Sequence, residues 1–433
     1  VTATDRAVEL VFGEGADRVC RDIPEAACRE QPRNLAVHLV SLSSSKTADG
    51  LLDPKLVLAW LVTAIGGSAT AVGLLVPLRE AFALLPQLFI AEPVRRQPTR
   101  SWIWASASIA QGLVVLTIGL VALFVDGPTA AWLIVALIVL FGGARSVASV
   151  SYKDVLGKTV SKARRGTVTG TATSIAAAAV LIFGAAVALE LIPLTTTAIA
   201  STLLVAAGLW LVAGTVFFQV AEEAGATQGG AAGFRVAVAN LKLLRTDRQL
   251  LRFVITRSLL TVTAVAPPYV LALASAERGG LGTLGPFVIA SAVATMLGGR
   301  VWGRLSDVSS RRVLVGAATV STALFLLAVG VATLEPSIGR NGWIAAGLLF
   351  LIVLAYQGVR LGRSTHLVDM ADADDRARYT AVSNTVVGVV ILATGGFGAL
   401  SSAIGLGGLF AVFAGLSAIA AMTALGLEEV QAS

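Results

Sequence analysis

The sequence predicts an all-α membrane protein with twelve transmembrane helices in two pseudo-symmetric six-helix bundles. Three observations carry this reading. Hydrophobic residues make up 56% of the 433 positions and charged residues only 14%, where a soluble domain has about a quarter charged. Mainly apolar runs of spanning length, about 20 residues, recur along the whole chain. Charged motifs of the first half return in the second at a nearly constant displacement, as in a duplicated unit.

In chain order the predicted spans lie near 34–54, 61–91, 101–124, 129–153, 167–190, 195–220, 250–275, 282–305, 312–334, 342–366, 379–402 and 404–427. The predicted organisation is an N-terminal segment (1–33), a first bundle (34–220), a central loop (221–249), a second bundle (250–427) and a tail (428–433). The central loop joins a Gly-rich stretch, AEEAGATQGGAAGF, to the basic amphipathic RVAVANLKLLRTDRQLLRF, a flexible piece followed by a surface-seeking one.

The net charge of +7 and pI near 9.8 do not point to nucleic acid, because Lys and Arg sit in short clusters between apolar runs. Arg95, Arg96, Lys158, Arg164, Arg165, Arg311 and Arg312 fall on one side, and only Lys55, Arg278 and Arg340 on the other. The positive-inside rule makes the crowded side cytoplasmic, and with it both termini. No cleavable signal peptide is expected. Cys20 and Cys28, with seven residues between them, suit neither a zinc site nor a redox pair and are expected as free thiols.

The duplication is visible in two registers. Arg145 to Asp154 and Arg360 to Asp369 share an Arg-x8-Asp frame 215 positions apart, and Arg95-Arg96 recurs as Arg311-Arg312 after 216.

The segment GRLSDVSSRR, Gly303 to Arg312, resembles the loop signature of the major facilitator superfamily, G-x-L-a-D-r-x-G-r-r. It falls between the eighth and ninth predicted spans, as the resemblance requires. Val308 and Ser310 depart from the pattern, and the first-half counterpart, Gln87 to Arg96, lacks its glycine and aspartate. A closer resemblance is to bacterial permeases of that superfamily. The resemblance implies paired halves around a midplane site and a bacterial cytoplasmic membrane. It also implies gating residues concentrated in the second half. Gly299 and Gly303 form a small-xxx-small pair for close helix approach. Asp307, Arg311 and Arg312 form a charge cluster at the rim, with Asp154 and Asp369 as loop anchors.

Charged side chains at membrane depth point to the site, since each costs about 2.5–3.5 kcal/mol at the bilayer centre when unpaired. Lys46 and Asp49, three apart, are expected to pair on one helix face. Arg79 and Glu80 are adjacent, about 100° apart around a helix, so each is expected to find its partner elsewhere. The expected network joins these four residues with Gln87, bracketed by Pro77 and Pro86. Arg145, Ser149 and Tyr152 make a polar stripe, as do Gln357, Arg360 and Ser364, and the two arginines are expected to face each other across the pseudo-twofold axis.

Lys46, Arg79, Arg145, Arg257 and Arg360 outnumber Asp49 and Glu80, which favours a carboxylate or phosphate solute. The structural alternative is that the arginines snorkel or pair. Asp49 and Glu80 are candidate proton carriers. His38 and His366 have no neighbour at metal spacing, no Walker lysine accompanies the glycines near the C-terminus, and no cofactor is expected. Trp60, Trp102, Trp104 and Trp343 are expected as interfacial anchors.

The expected protein is therefore a proton-coupled secondary transporter for a small anionic or amphiphilic solute, not an enzyme. It is expected as a monomer whose partners are the bilayer, protons and the solute. A lipid translocator or a non-transporting sensor on the same fold are the alternatives.

Overall fold

The computed structural model describes residues 25–225, 241–274, 284–334, 341–370 and 376–430. Its helices are α1 (Glu25–Arg29), α2 (Gln31–Leu52), α3 (Val57–Ala64), α4 (Ala69–Leu84), α5 (Gln87–Arg95), α6 (Ser101–Phe124), α7 (Gly127–Thr159), α8 (Lys162–Ala188) and α9 (Thr196–Phe217). From residue 241 on come α10 (Leu243–Thr246), α11 (Arg248–Leu259), α12 (Val262–Val265), α13 (Pro267–Ala274), α14 (Leu284–Val308), α15 (Ser310–Thr333), α16 (Gly342–Asp369), α17 (Arg376–Thr394) and α18 (Phe397–Leu425).

Helix starts follow from short polar side chains that satisfy exposed backbone N–H groups. Ser68 caps α4, Thr195 α9, Asp247 α11, Ser309 α15 and Asn341 α16. The turn between α3 and α4 needs glycine, because Gly66 has φ +87°, a left-handed conformation that costs other residues steric energy.

Among the described residues, nine helices are long and apolar enough to cross a membrane, or ten when Ala69–Leu84 and Phe89–Arg95 count as one span bent by 43°. α2, with Lys46, Asp49 and a run of serines, and α17, with its arginines and Asn384, are too polar to qualify.

Several predicted boundaries change. Residues 57–64 belong with α2 as the far half of a broken first helix and not with the second span, because the chain breaks at Asp53-Pro54 and turns only at Gly66. The predicted span 250–275 is likewise three pieces, α11 to α13, interrupted ahead of Pro267-Pro268. Pro54 and Pro268 are 214 positions apart, so both halves begin with a helix broken at the same place. The eleventh span breaks at Gly395-Gly396. α18 is two helices meeting at Gly405 (φ 73°, ψ 172°), close to the predicted boundary at 402–404.

Before residue 220, α2 packs on α8 and α9, α6 on α7 and α9, and α4 on α7. After 248, α14 packs on α16, α15 on α16 and α18, and α11 on α17 and α18. Trp210, Phe141, Phe325, Phe410 and Phe413 anchor these contacts, each at most 1% exposed. Contacts between the two sets run through α8 with α14 and through α4 with α17 and α18. They are closest at the charge-poor ends. A Cβ built on Gly73 would stand 2.7 Å from the Gly398 Cα, and one on Gly285 would stand 2.5 Å from the Ala188 backbone nitrogen.

The register of about 215 residues also relates interactions. Asn34 of α2 donates to the Ala221 carbonyl and accepts from its N–H, at 3.0 and 2.9 Å. Gln249 of α11, 215 positions on, accepts from the Glu428 N–H at 3.3 Å. The next residue in each half is a glutamate that holds a helix start. Glu222 accepts from the N–H groups of Arg100 and Ser101 (2.7 and 2.6 Å), and Glu429 accepts from Ser309 Oγ (2.6 Å).

Three further expectations are corrected. Cys28 is disulfide-bonded and not a free thiol. Cys20 lies outside the described residues. A disulfide needs Cα atoms within about 7 Å, which depends on chain path and not on motif spacing. Of the four tryptophans expected at the interface, Trp60 and Trp104 are buried, at 2% and 5% exposure, while Trp102 and Trp343 are exposed. Beside Gly299 and Gly303 an added Cβ would meet nothing within 4 Å. The close approach falls one residue earlier, where a Cβ on Gly298 would stand 2.5 Å from the Gln357 Cβ.

Candidate functional site

A cavity of about 460 Å³ lies between the two sets of helices. From the first set it is lined by the α2 end and the break after it (Lys46, Asp49, Asp53, Lys55), by Arg79 and Glu80 of α4, Arg145 of α7 and Thr173 of α8. From the second it takes Pro267, Thr295 of α14, and Tyr356, Gln357, Arg360 and Arg363 of α16. Arg79 and Glu80 follow Gly73 by six and seven residues, or about 10 Å of helix. The cavity thus sits on the charge-rich side of the glycine contacts.

The broken first helix explains the polar density here. Pro54 cannot continue the α2 ladder, and Asp53 Oδ1 accepts the Lys55 N–H at 2.8 Å, a local turn that turns backbone and side chains toward the lumen. Pro77 sits inside α4 and offers no N–H to the Gly73 carbonyl four residues back.

Asp49 is the hub of the first wall. Its Oδ1 accepts from Arg79 Nη2 at 2.6 Å and Arg145 Nη1 at 3.1 Å, and its Oδ2 lies 2.9 Å from Arg145 Nη2. Arg79 also reaches Glu80 at 2.5 Å. This overturns the expectation that neighbours 100° apart cannot pair, since the long arginine stem bends back around the helix. Lys46 does not pair with Asp49. It donates to Thr173 Oγ1 of α8 at 2.9 Å, because both Asp49 oxygens are taken by guanidiniums. On the facing wall Gln357 donates to Thr295 Oγ1 at 3.1 Å. Lys55 Nζ lies 4.3 Å from the Tyr356 ring centroid, a cation-π contact between the halves.

Arg145 and Arg360 both line this cavity, as do Lys46, Arg79 and Gln357. Three other predicted residues do not. Gln87 donates to the Ala83 carbonyl of its own chain turn at 2.7 Å. Tyr152, two turns beyond Arg145, packs instead in an aromatic cluster with His38, Trp104 and Phe217. Arg257 is 9% exposed and bridges α11 to α17 through Ser383 (2.7 Å) and Asn384 (2.9 Å).

At the charge-rich end, Asp154 pairs with Arg100 at 2.5 Å and Lys158 at 2.8 Å, and Lys158 continues to Glu222 at 3.0 Å. These bonds tie the start of α6 to the end of α7 and the chain after α9. In the second half, Arg311 donates to the Leu425 carbonyl at 2.7 Å, and the Arg312 N–H is the one Ser309 caps. Asp369 closes α16 and is exposed. The Asp307 side chain lies outside what the structure describes. Among the described residues no cluster of His, Cys, Asp and Glu could hold a metal.

The sequence reading missed Asp53, Lys55, Tyr356 and Arg363. Asp53 falls at the end of the predicted first span and Lys55 just past it on the charge-poor side, while Arg363 falls near the end of the predicted span 342–366, and α16 runs six residues beyond it. The signal was the Pro54 and Pro268 register, which marks the break as part of the repeat.

The fold has close counterparts. The crystal structure of the nucleoside transporter NupG superposes with a TM-score of 0.66 at 12% identity, covering 91% of this chain and 98% of that one. A POT family transporter in complex with a thioalcohol conjugated peptide gives 0.66 at 11%, covering 94% and 98%. One in complex with 5-aminolevulinic acid gives 0.68 at 9%, with the same coverage. At such identities the likeness is one of fold. Among curated proteins, none matches this sequence. The profile of the Major Facilitator Superfamily matches residues 41–395, from the middle of α2 to the end of α17. The chain therefore belongs to the Major Facilitator Superfamily, and is a membrane transporter and not an enzyme.

Proposed function

We propose that the protein moves a small anionic solute across the bacterial cytoplasmic membrane by alternating access, driven by protons. Twelve spans form two six-helix bundles that rock about the cavity, with the charge-rich loops and both chain ends cytoplasmic and a single chain as the working unit. The observation that carries this reading is the charge of the cavity. Lys46, Lys55, Arg79, Arg145, Arg360 and Arg363 line it against only Asp49, Asp53 and Glu80. Such a surplus at membrane depth is costly without a counter-anion, and guanidiniums bind carboxylate and phosphate through paired N–H donors. The same lining is unlike the greasy lumen a lipid translocator needs.

The glycine contacts at the charge-poor end support alternating access, because they close one mouth by backbone packing that a modest tilt of the bundles would release. Arg145, Arg360, Lys46 and Gln357 are the solute contacts in this reading, and Asp49 and Glu80 carry the proton. Asp307, Arg311, Arg312, Asp154 and Asp369 belong to the cytoplasmic rim that must open and close.

The test is transport in proteoliposomes under an imposed pH gradient with a panel of organic anions. Uptake or release of at least one anion should depend on the gradient and be lost in Arg145→Gln. A gradient response that persists in both Asp49→Asn and Glu80→Gln would remove the proton-carrier assignment.

A further inference from the structure

The two walls of the cavity use their charges differently. On the first-half wall the acids are occupied: Asp49 holds Arg79 and Arg145, Glu80 holds Arg79, and Asp53 holds the Lys55 N–H. Among the described residues that line the α16 wall there is no acid. Arg360 and Arg363 stand three residues apart, so they share a helix face. Neither makes a hydrogen bond or ion pair to any described residue.

Tyr356 precedes Arg360 by one turn and faces Lys55 of the other wall, 4.3 Å from its ring centroid, with Arg363, Arg360 and the facing Glu80 also in electrostatic reach. Behind this wall lies Arg257, 9% exposed, held only by the neutral Ser383 and Asn384 and with its Nε unbonded. Arg363 is near enough for its charge to reach Arg257. Three guanidiniums thus gather on one side of the chamber without a carboxylate. Gln357 pins the wall to α14 through Thr295.

We propose that Tyr356, Gln357, Arg360 and Arg363 form the anchor for a doubly charged headgroup, and that this wall selects dianions over monoanions. One carboxylate satisfies one guanidinium fork. Filling two forks on adjacent turns takes either a tetrahedral phosphomonoester or two carboxylates on a short chain. The first-half wall neutralises itself and adds no acid to compete. This inference rests on the reading of the cavity as the transport site.

The test compares probes of matched size and different charge on the purified full chain. Ethyl phosphate is set against diethyl phosphate, and succinate against its monomethyl ester, above the second phosphate pKa of about 6. Binding is read as the shift in thermal unfolding across a concentration series. At least one dianion should bind about tenfold or more tightly than its monoanionic partner. Arg360→Gln and Arg363→Gln should each abolish that ratio, while Arg363→Lys, which keeps the charge, should retain part of it. The dianion that binds distinguishes phosphoester from dicarboxylate. Equal binding of both charge classes overturns this inference and leaves anion transport standing, as does a ratio that survives in both glutamine variants. Binding of none of the four overturns it too. Where a glutamine variant does not fold, the wild-type ratio and Arg363→Lys decide.

Discussion

Arg145 grips Asp49 with both arms of its guanidinium, Nη1 to Oδ1 at 3.1 Å and Nη2 to Oδ2 at 2.9 Å. Since Arg79 reaches the same Oδ1 at 2.6 Å, one carboxylate on the first helix ties α4 and α7 together. Asp49→Asn would leave two guanidiniums facing a neutral amide. Breaking a buried ion pair from one side costs about 3–5 kcal/mol. The low end applies here, because Asp49 keeps 22% of its side chain exposed to the cavity. Denaturant titration should show that loss, and Asp49→Asn combined with Arg145→Gln should recover part of it. Strictly additive losses would mean that the two side chains do not interact.

Glu80 is held more loosely than Asp49. It has one ion-pair partner, Arg79, and 37% of its side chain is exposed, while Asp49 has two partners. A proton carrier must lose its cation when it loads, and Glu80 can do so without undoing the α2, α4 and α7 junction. Glu80→Gln is expected to keep solute exchange down its own gradient but to abolish accumulation driven by a pH gradient. Asp49→Asn is expected to impair both. Measuring exchange and accumulation separately in the same vesicles decides between them, and equal loss of both in Glu80→Gln would shift the carrier role away from it.

The paired glutamates at the charge-rich end should differ in weight. Glu222 has a side chain only 1% exposed, accepts two backbone N–H groups and meets Lys158. Glu429 accepts from one serine hydroxyl. Hydrogen bonds to a buried charge contribute about 1.5–3 kcal/mol, so Glu222→Gln should lower unfolding free energy by about that amount. Glu429→Gln should cost about 0.5–1.5 kcal/mol. An equal effect of the two would show that the N–H contacts of Glu222 add nothing to stability.

The class of the protein was legible in its sequence, and the details of its site only partly so. Hydropathy marks most of the apolar helices, and the 215-residue register singles out Arg145 and Arg360, which both line the cavity, because both signals depend on residue type along one chain. Partner choice did not follow from spacing. Arg79 pairs with Glu80 because a long side chain can bend round its own helix, and Lys46 goes to Thr173 because Asp49 is already occupied. Tyr152 has the helical spacing of a cavity residue, yet the aromatic cluster around His38 claims it. The predicted first span stops at 54 and the second starts at 61, so the first half of α3 falls between them. It took the packing of α3 on the far side to show that the helix goes on.

Gly73 offers the most direct handle on alternation. A Cβ there would stand 2.7 Å from the Gly398 Cα and 2.9 Å from the Tyr269 hydroxyl. The first of these is backbone that cannot move aside as a side chain can. Gly73→Leu should therefore push the charge-poor ends of α4 and α18 apart and favour the state open at that end, with little effect on the Asp49 junction six residues further on. In vesicles of known sidedness, a cysteine placed at Ser402, exposed four residues beyond Gly398, should react faster with a membrane-impermeant thiol reagent in the Gly73→Leu background. Cysteine labelling at Thr169, which lies toward the other mouth on α8, should slow down. Net transport should fall because one half of the cycle is disfavoured, while solute binding from the charge-poor side persists. If both labelling rates match those of the parent protein, the contact at Gly73 is simply packing and does not close the mouth.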